Sequence, residues 1–474
     1  NLGTGTNILN ADLIHVGDLF GNRGTGVLQF ADTTGTLIVR GSDGSSRSSM
    51  NVVNSVSGTG FSFSGTVDLA GHDADLLLDA LVIGRRTSGT GGATAAFTFD
   101  TGTLDVNSVV MGYKTGAGGA STVSGTMNIG GGTVAIGAGG ISMASNGGTT
   151  ASTAAGTLNF TGGTISVDGD IVHEGATGAG NTTATLNLGG TASLDMLGHN
   201  IGDATHSIVL TIASGTLANV AEINGGAGLL KYDNGDVGGG TLILEGNNTY
   251  TGGTNVNAGI LQVGTGGTTG TLGSGPIVAD GILRTARDGT FNLDQGITGF
   301  GNIEINNAAT GLTVMTNANS YAGTTSVNSG TLQVGAGGTG ASMLNATAAG
   351  TTGSGAVTVT PGGMIVGSGV INGALTVGGA GVGVATLNPG DAGNVGTLWT
   401  SGDVTLADNS ALQFSLVSAG SHNDASLPLF VDAGYSSYVT ANAPTWETSF
   451  ATVDTTSENL YDHLDVGGQF DFGT

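Results

Sequence analysis

The sequence predicts an all-β protein, specifically a right-handed parallel β-helix (β-solenoid), and three observations carry this prediction. The chain has 474 residues, of which 93 are Gly, 5 are Pro and none is Cys. Apolar and polar residues alternate in runs of three or four, as in strands with one buried face. These runs recur at a nearly constant spacing. A chain of this length must divide into domains or grow along one axis, because a single hydrophobic core stops growing near ~250–300 residues.

The glycine content indicates ordered turns. Disordered chains combine low hydrophobicity with high charge, whereas this chain is 38% hydrophobic and 9% charged. Glycine does not fall at every third position, which excludes a collagen triple helix. Glycine is therefore expected at the corners of the coils, where a positive φ is needed.

Four segments align on an anchor glycine that lies between two alternating runs. The anchors are Gly102, Gly132, Gly163 and Gly190, so their spacing is nearly constant. A third short run follows each pair, and then a loop of small residues. The predicted loops are 112–123, 142–155 and 173–185. Three strands and one loop predict one coil of a β-solenoid.

Evenly spaced short strands also suit β-sandwiches and propellers. Those folds use longer strands and more aromatic packing, and aromatic residues make up only 5% of this chain. Strands of three or four residues joined by single-glycine bends favour the solenoid. Brief helical signals occur at Asp75–Leu81 and Ala341–Ala346 only.

The charge balance restricts the partners. Nine Lys and Arg face 34 Asp and Glu, which gives a net charge of −25. Phosphate backbones and anionic lipids would be repelled, so nucleic acid is not an expected partner. No apolar run approaches the ~20 residues that span a bilayer, so no membrane span is expected. Without Cys, disulfides and zinc-thiolate sites are excluded.

A second, longer repeat begins near Thr241. The segment Thr241–Gly264 reappears as Leu312–Gly335, and Tyr250 matches Tyr321 at the same offset as the two closing glycines. Its core reads Asn-Thr-Tyr-Thr-Gly-Gly-Thr-Asn-Val-Asn-Ala-Gly-Ile-Leu-Gln-Val-Gly. This block resembles the autotransporter-associated β-strand repeat, also called the passenger-associated transport repeat, across about 241–280 and 312–360. The segment Asp462–Gly468 is similar to the closing element of such passengers.

The resemblance implies a secreted passenger, exported across the outer membrane and displayed outside the bacterial cell as a right-handed β-helix. Similar repeats occur in autotransporter passengers and in large secreted proteins with a PEP-CTERM-type sorting anchor. From the style of the repeats we expect three regions: 1–240 with degenerate repeats of roughly 30 residues, 241–416 with the autotransporter-associated repeats, and 417–474 as a cap or contact region.

The last region concentrates aromatic residues in a chain that has few. A folded cap that buries these rings is one interpretation. The other is a contact or self-assembly surface. The residues concerned are Tyr435, Tyr438, Trp446 and Tyr461.

Candidate catalytic residues are scarce. Asp73, Asp75 and Arg85 lie in the densest charged cluster, and two carboxylates with a basic residue would suit a polysaccharide lyase or hydrolase. The alternative interpretation is a solvated face. Asp233 and Asp236 offer calcium ligands or a turn, so calcium is the one cofactor considered and no other is expected. The seven His residues show no metal-binding spacing.

Two functional hypotheses follow. The first is a structural or adhesive protein of the bacterial surface or matrix. Its partners would be surface glycans of a host or neighbouring cell, bound by the loops, or further copies of the chain stacked head to tail into filaments through open strand edges. The second is an extracellular polysaccharide-degrading enzyme. The sequence favours the first, because the fold alone grants no activity.

Overall fold

In the computed structural model, the described residues are 1–17, 24–55, 60–116, 121–149, 151–232, 240–335, 350–390, 397–413, 463–466 and 470–471. The regular elements in these ranges are all β-strands, and neighbouring strands run parallel. The predicted fold class, a right-handed parallel β-helix, is confirmed. Across the described segments, no helix is long and apolar enough to cross a membrane.

The chain forms two compact units. The first comprises residues 1–265 and 269–276, and the second residues 266–268 and 277–474. The boundaries predicted from repeat style, at 240/241 and 416/417, stay predictions.

The first unit is built from strands β1 to β21. Their bounds are β1 Thr6–Asn10, β2 Leu13–Val16, β3 Thr25–Gln29, β4 Thr36–Arg40, β5 Ser48–Ser55, β6 Phe63–Asp68, β7 Asp73–Arg86, β8 Ala93–Phe99, β9 Thr101–Lys114, β10 Thr122–Ile136, β11 Ile141–Asn146, β12 Thr153–Val167, β13 Ile171–Ala176, β14 Asn181–Leu188, β15 Ser193–Asp195, β16 Val209–Ile212, β17 Gly215–Ala218, β18 Leu229–Lys231, β19 Thr241–Glu245, β20 Thr254–Val256 and β21 Ile260–Val263.

Each coil of this unit has three sides. Side 1 stacks β1, β4, the first part of β7 and β9, the last part of β10 and β12, and then β15, β17, β19 and β21. Side 2 stacks β2, β5, the last part of β7 and β9, β11 and β13. Side 3 stacks β3, β6, β8, the first part of β10 and β12, and then β14, β16, β18 and β20.

Aliphatic side chains stack in register through the interior of this unit. On side 1 a row of fully buried residues continues through nine coils. Its members are Val39, Leu76, Leu104, Val134, Ile165, Leu194, Leu217, Leu244 and Val263. Fully burying one such side chain stabilises the fold by about 1.5–3 kcal/mol. This row accounts for the alternation seen in the sequence.

The second unit contains strands β22 to β38. Their bounds are β22 Ile277–Ala279, β23 Ile282–Thr285, β24 Thr290–Leu293, β25 Ile297–Thr298, β26 Ile303–Asn306, β27 Leu312–Met315, β28 Thr325–Val334, β29 Val357–Val359, β30 Gly363–Gly367, β31 Val370–Ile371, β32 Leu375–Val377, β33 Ala385–Pro389, β34 Thr397–Thr400, β35 Val404–Leu406, β36 Ser410–Leu412, β37 His463–Val466 and β38 Phe470–Asp471.

Two rows of parallel strands dominate this unit. One joins β23, β26, β28, β29, β32, β35 and β38, and the other joins β24, β27, β28, β30, β33 and β36. Some coils are shorter than in the first unit. The successive register partners Leu283, Ile303 and Thr325 lie closer together along the chain than the partners Thr103, Thr133 and Thr164 do on side 1 of the first unit.

The longer repeat places one fully buried tyrosine in each unit. The hydroxyl of Tyr250 lies 2.9 Å from Thr254 Oγ1, and that of Tyr321 lies 2.6 Å from Thr325 Oγ1. Burial raises the pKa of both phenols above the ordinary value. Gly273 packs under the Tyr250 ring and Gly353 under the Tyr321 ring, and a Cβ at either glycine would overlap the ring. The shared Tyr and Gly of the repeat are therefore core-packing residues.

The predicted positive φ is confirmed at all four anchor glycines, and Gly190 has φ of +60°. Gly102, Gly132 and Gly163 have φ of +98°, +73° and +84° and precede side 1 of successive coils. The helical signal at Asp75–Leu81 was wrong, because these residues lie within β7. Their in-register pairing with β9 imposes the extended conformation despite the helix-forming leucines. The other helical signal, at Ala341–Ala346, lies outside the described residues.

The predicted loops are shorter than the sequence suggested. The strands extend to Lys114, Asn146 and Ala176, and the next strands begin at Thr122, Thr153 and Asn181. The Gly, Ala, Ser and Thr residues at these strand ends were interpreted as loop. They are small because two backbones approach each other there, as described below.

Glycines stack at one corner of the second unit. A Cβ on Gly301 would overlap the carbonyl oxygen of Gly281, and one on Gly323 would overlap that of Gly301. We expect Gly301→Ala to destabilise the chain by about 2 kcal/mol or more, because the added methyl group would overlap the backbone of Gly281 and Asp280. Urea unfolding would measure this. Gly267→Ala is the control: a Cβ there meets nothing within 4 Å, so a comparable loss in both variants would contradict the prediction.

Acid should weaken the turn at 41–46. Asp43 Oδ1 accepts the Ser46 and Ser45 backbone N–H groups at 2.7 and 2.8 Å, and these bonds lower the pKa of Asp43 to about 2. The depressed pKa means that its contribution to stability is present above pH 3.8, the value for the free side chain, and is lost as pH falls toward 2. We expect the drop in Tm between pH 4 and pH 2 to be smaller in Asp43→Asn than in the unchanged chain. Equal drops would show that Asp43 does not contribute.

Candidate contact surface

The predicted catalytic cluster is divided between two sides of the first unit. Asp73 and Asp75 lie on side 1 of β7 and point outward, whereas Arg85 lies on side 2 of the same strand. The guanidinium that reaches the Asp75 carboxylate belongs to Arg40 of the preceding coil, which also donates to the Asp75 carbonyl at 2.9 Å. The structure thus brings Asp75 together with Arg40, and a catalytic role for Asp73, Asp75 and Arg85 stays a prediction.

The other predicted site residues lie outside the described residues. These are the calcium candidates Asp233 and Asp236 and the aromatic contact candidates Tyr435, Tyr438, Trp446 and Tyr461. Within the described ranges, no three His, Asp or Glu side chains gather as metal ligands. His199 approaches two carboxylates, with Nε2 at 3.4 Å from Asp168 Oδ1 and Nδ1 at 3.6 Å from Asp170 Oδ1.

Sides 2 and 3 of the first unit meet in a narrow projection, which we call the arm. Its described residues are 84–95, 112–116, 121–125, 144–149, 151–156 and 175–184, with the loops at its tip. A Cβ on Gly112 would overlap the carbonyl oxygen of Ala155, and one on Gly125 would overlap that of Ile83. The two backbones are therefore in direct contact, and only small residues fit between them.

A row of left-handed residues bends side 2 into the arm. Val53, Gly84, Gly112 and Ala144 lie at the same level of four successive coils and have φ of +61°, +72°, +65° and +53°. A β-branched residue rarely adopts this conformation. Its presence at Val53 shows that the stacking of the coils imposes the bend even without glycine.

Beyond this bend, polar side chains occupy the interior of the arm. Arg86, Lys114 and Asn146 are register partners on β7, β9 and β11, and all three are fully buried. Arg86 Nη1 donates to the Phe61 carbonyl at 2.9 Å, and Lys114 Nζ donates to the Gly89 carbonyl at 3.3 Å. Burial lowers the pKa of Arg86, and burial together with the neighbouring Arg86 lowers that of Lys114.

Asn146 fastens the loop that follows it. Its Oδ1 accepts the Gly148 N–H at 2.9 Å and the Ser152 hydroxyl at 3.1 Å. Its Nδ2 donates to the carbonyl of Ser152 at 3.2 Å and to that of Asn181, one coil further on, at 2.8 Å. This row was not predicted from the sequence. The sequence does contain a signal for it: a polar residue stands immediately before each small-residue loop, at Arg86, Lys114 and Asn146.

The tip of the arm is exposed, small and uncharged. Its exposed side chains include a threonine on each of four coils: Thr90, Thr115, Thr149 and Thr177. On the outer face near the tip, Arg85 of β7 and Tyr113 of β9 are register partners. Burial raises the pKa of the Tyr113 phenol, and the nearby Glu174 adds to this rise. The tip therefore offers hydroxyl and peptide groups for hydrogen bonding.

Comparison with known proteins agrees with the repeat seen in the sequence. The family model for the passenger-associated-transport-repeat matches residues 237–263 and 310–334. The chain carries two passenger-associated transport repeats. In the structure, the matched residues include β19 to β21 in the first unit and β27 and β28 in the second. They also include the buried Tyr250 and Tyr321.

One curated relative of this repeat protein is the adhesin BmaC autotransporter of Brucella suis biovar 1 (strain 1330). The two are 52% identical over 62 residues, which is 13% of this chain and 2% of the relative. The aligned part is thus a small fraction of that much longer protein. No solved structure matches the chain.

Removing the Asn146 side chain should loosen the arm. We expect Asn146→Ala to cost about 2–3 kcal/mol, because the Gly148 N–H loses its acceptor and the carbonyls of Ser152 and Asn181 each lose a donor. Amide hydrogen exchange should then rise first at residues 147–152. Asn159→Ala is the matched control. The Asn159 side chain donates to Asn128 Oδ1 and accepts from Asn187 Nδ2, each at 2.7 Å, on the half-exposed outer face of side 3. An Asn146→Ala effect no larger than that of the control would contradict this role.

Proposed function

We propose that this chain is an adhesive, non-enzymatic passenger region, exported across the outer membrane and displayed on the bacterial surface. In this proposal the tip of the arm contacts glycans of a host or neighbouring cell, and the stacked coils hold it away from the displaying cell. The observation that carries the proposal is the pair of passenger-associated transport repeats in a parallel β-helix.

The relative supports the adhesive part of the proposal. The curated protein that shares 62 aligned residues is named an adhesin and an autotransporter. The similarity covers a small part of both chains. Further support for an adhesive role comes from the structure of the arm.

The construction of the arm supports its role as the contact surface. The loops contribute little to the aliphatic rows inside the coils, so their residues can change without disturbing the core. The buried row of Arg86, Lys114 and Asn146 fixes the strand ends from which the loops start. A fixed base reduces the conformational entropy that binding would otherwise cost.

The chemistry of the tip suits a hydroxyl-rich, uncharged ligand. The threonine hydroxyls and the peptide groups of the loops can donate and accept hydrogen bonds, and no charged side chain stands at the described tip residues. With a net charge of −25, the chain would repel a strongly anionic surface at long range. A neutral glycan avoids that repulsion.

The two other hypotheses stay predictions. A polysaccharide-degrading activity would need the carboxylates to converge with a basic residue on one groove, whereas Arg40 occupies Asp75 and Arg85 lies on another side. Head-to-tail assembly into filaments rests on the general tendency of open strand edges to pair.

Removing the tip hydroxyls should weaken adhesion. We expect Thr90→Ala, Thr149→Ala and Thr177→Ala, combined in one chain, to reduce binding to a panel of immobilised neutral glycans about tenfold or more. Each lost hydrogen bond contributes about 0.5–1.5 kcal/mol. Binding of the purified chain to the panel, measured by surface plasmon resonance, would test this.

The matched control changes three threonines on side 1. Thr103, Thr133 and Thr164 are exposed register partners on neighbouring coils and lie on side 1, outside the arm. Replacing these three by Ala should leave glycan binding unchanged. If the unchanged chain bound no glycan on the panel, or if both triple variants lost binding equally, the tip would not be the contact surface.

A further inference from the structure

The side chain of His72 connects two neighbouring coils of the first unit. His72 lies in the corner between β6 and β7, and residues 30–35 form the corresponding corner between β3 and β4 of the preceding coil. Both ring nitrogens face backbone carbonyl oxygens. Nδ1 lies 2.8 Å from the carbonyl oxygen of Ala70, and Nε2 lies 2.6 Å from that of Asp32, in the preceding corner.

Two carbonyl acceptors favour one protonation state of the ring. A carbonyl oxygen only accepts hydrogen bonds, so a ring nitrogen that bonds to one must carry a proton. The neutral imidazole has a single N–H group, and the lone pair of its other nitrogen would then face a carbonyl oxygen. The imidazolium has two N–H groups and satisfies both contacts. The geometry around His72 therefore suits the positively charged ring.

An aromatic ring favours the same charged form. The rings of Phe30 and His72 are stacked, with centroids 4.0 Å apart and an interplanar angle of 4°. A cation over the face of an aromatic ring is attracted by the quadrupole of that ring. Phe30 is 8% exposed, and a Cβ on Gly35 would lie 2.8 Å from its ring. The imidazole thus covers a ring that packs within the 30–35 corner.

The charged residues of the adjoining corners are all acidic. Asp100, on the next coil, accepts the N–H of Gly71 at 2.8 Å. Nearby negative charge favours a protonated imidazole, and these corner segments contain four Asp residues but no Lys or Arg. The segments are 30–36, 68–73 and 98–103, and their acidic residues are Asp32, Asp68, Asp73 and Asp100.

We propose that His72 is a pH-dependent clasp between two neighbouring coils. As the imidazolium, it donates to the carbonyls of Asp32 and Ala70 and covers the Phe30 ring, which keeps the 30–35 corner closed. When the ring loses one proton, one nitrogen lone pair faces a carbonyl oxygen and the charge over Phe30 disappears, so the corner loosens.

The sign of the pH dependence follows from the favoured form. Because the folded chain favours the protonated ring, the contribution of His72 is complete in acid, below about pH 6.5, where a free imidazole is protonated as well. It declines as the pH rises above that value. The turn at Asp43 behaves in the opposite way, since its contribution is lost in acid.

Amide hydrogen exchange of the full chain at about pH 5.5 and about pH 8.5 tests the clasp, after correction for the intrinsic rates. This range lies above the titration of ordinary carboxylates. The reporters are the N–H of Ala31, which donates to the Leu2 carbonyl at 2.9 Å, and that of Thr36, which donates to the Gly5 carbonyl at 3.2 Å. We expect their protection to be about fivefold or more lower at the higher pH. Equal protection at both pH values would overturn the proposal.

A second measurement detects the charge of the ring directly. In a chain with ¹⁵N-labelled histidine, both ring nitrogens of His72 should show the chemical shifts of an imidazolium at about pH 7. The loss of these signals in His72→Gln would assign them. The shifts of a neutral ring at that pH would also overturn the proposal.

Two substitutions and a control locate the effect. His72→Gln should remove the pH dependence at the reporters, whereas His72→Arg should keep high protection at both pH values, because a guanidinium stays protonated and can stack on Phe30. His199→Gln is the control. His199 lies near Asp168 and Asp170 on a later coil, so this variant should keep the full pH dependence. If His72→Gln kept it, or if His199→Gln removed it, the charge of His72 would not close the corner.

Discussion

The structure depends on one constraint: each coil pairs with the next in parallel and in register. A side chain that points inward on one coil therefore lies directly above an inward side chain of the next. The row from Val39 to Val263 on side 1 is the clearest result, since nine fully buried aliphatic residues follow each other through nine coils. The same constraint carries backbone conformation from coil to coil, as the left-handed residues Val53, Gly84 and Gly112 show.

In-register stacking also explains why polar residues occur as rows. An isolated buried lysine or arginine is costly, and here Arg86, Lys114 and Asn146 occupy one level. Each donates a hydrogen bond to a backbone carbonyl of a loop. Hydrogen bonds of this kind contribute modestly when made and cost more when lost. The row therefore determines the conformation of the loops more than the stability of the coils.

The parts of this fold that follow from local rules could be predicted from the sequence. Alternation with period two indicated the strands, Gly102, Gly132 and Gly163 indicated a corner, and Tyr250 with Tyr321 indicated the second repeat. The loop bounds could not be predicted, because Gly112, Ala155 and Gly156 are small for a tertiary reason, the contact of two backbones. Helical propensity at Asp75–Leu81 was overridden by pairing with β9. The arm interior was missed because a lysine or arginine before a loop is ordinarily expected in solvent.

The coils and the arm differ in how much stability a substitution costs, and the difference has a physical cause. Truncating one aliphatic residue of the row through Leu104 leaves a cavity between two fixed layers, which typically costs about 2–5 kcal/mol. A substitution at Thr149 or Thr177 removes no inward side chain, so its cost stays near that of ordinary surface changes, within about 0.5 kcal/mol. The first unit thus tolerates substitutions at the tip of the arm, where a partner would be contacted. Substitutions in the aliphatic row destabilise it. The buried row of Arg86, Lys114 and Asn146 belongs to neither class. Burying these polar groups costs too much free energy for the row to be explained by stability alone. Its position at the base of the loops indicates that it holds the loops in place.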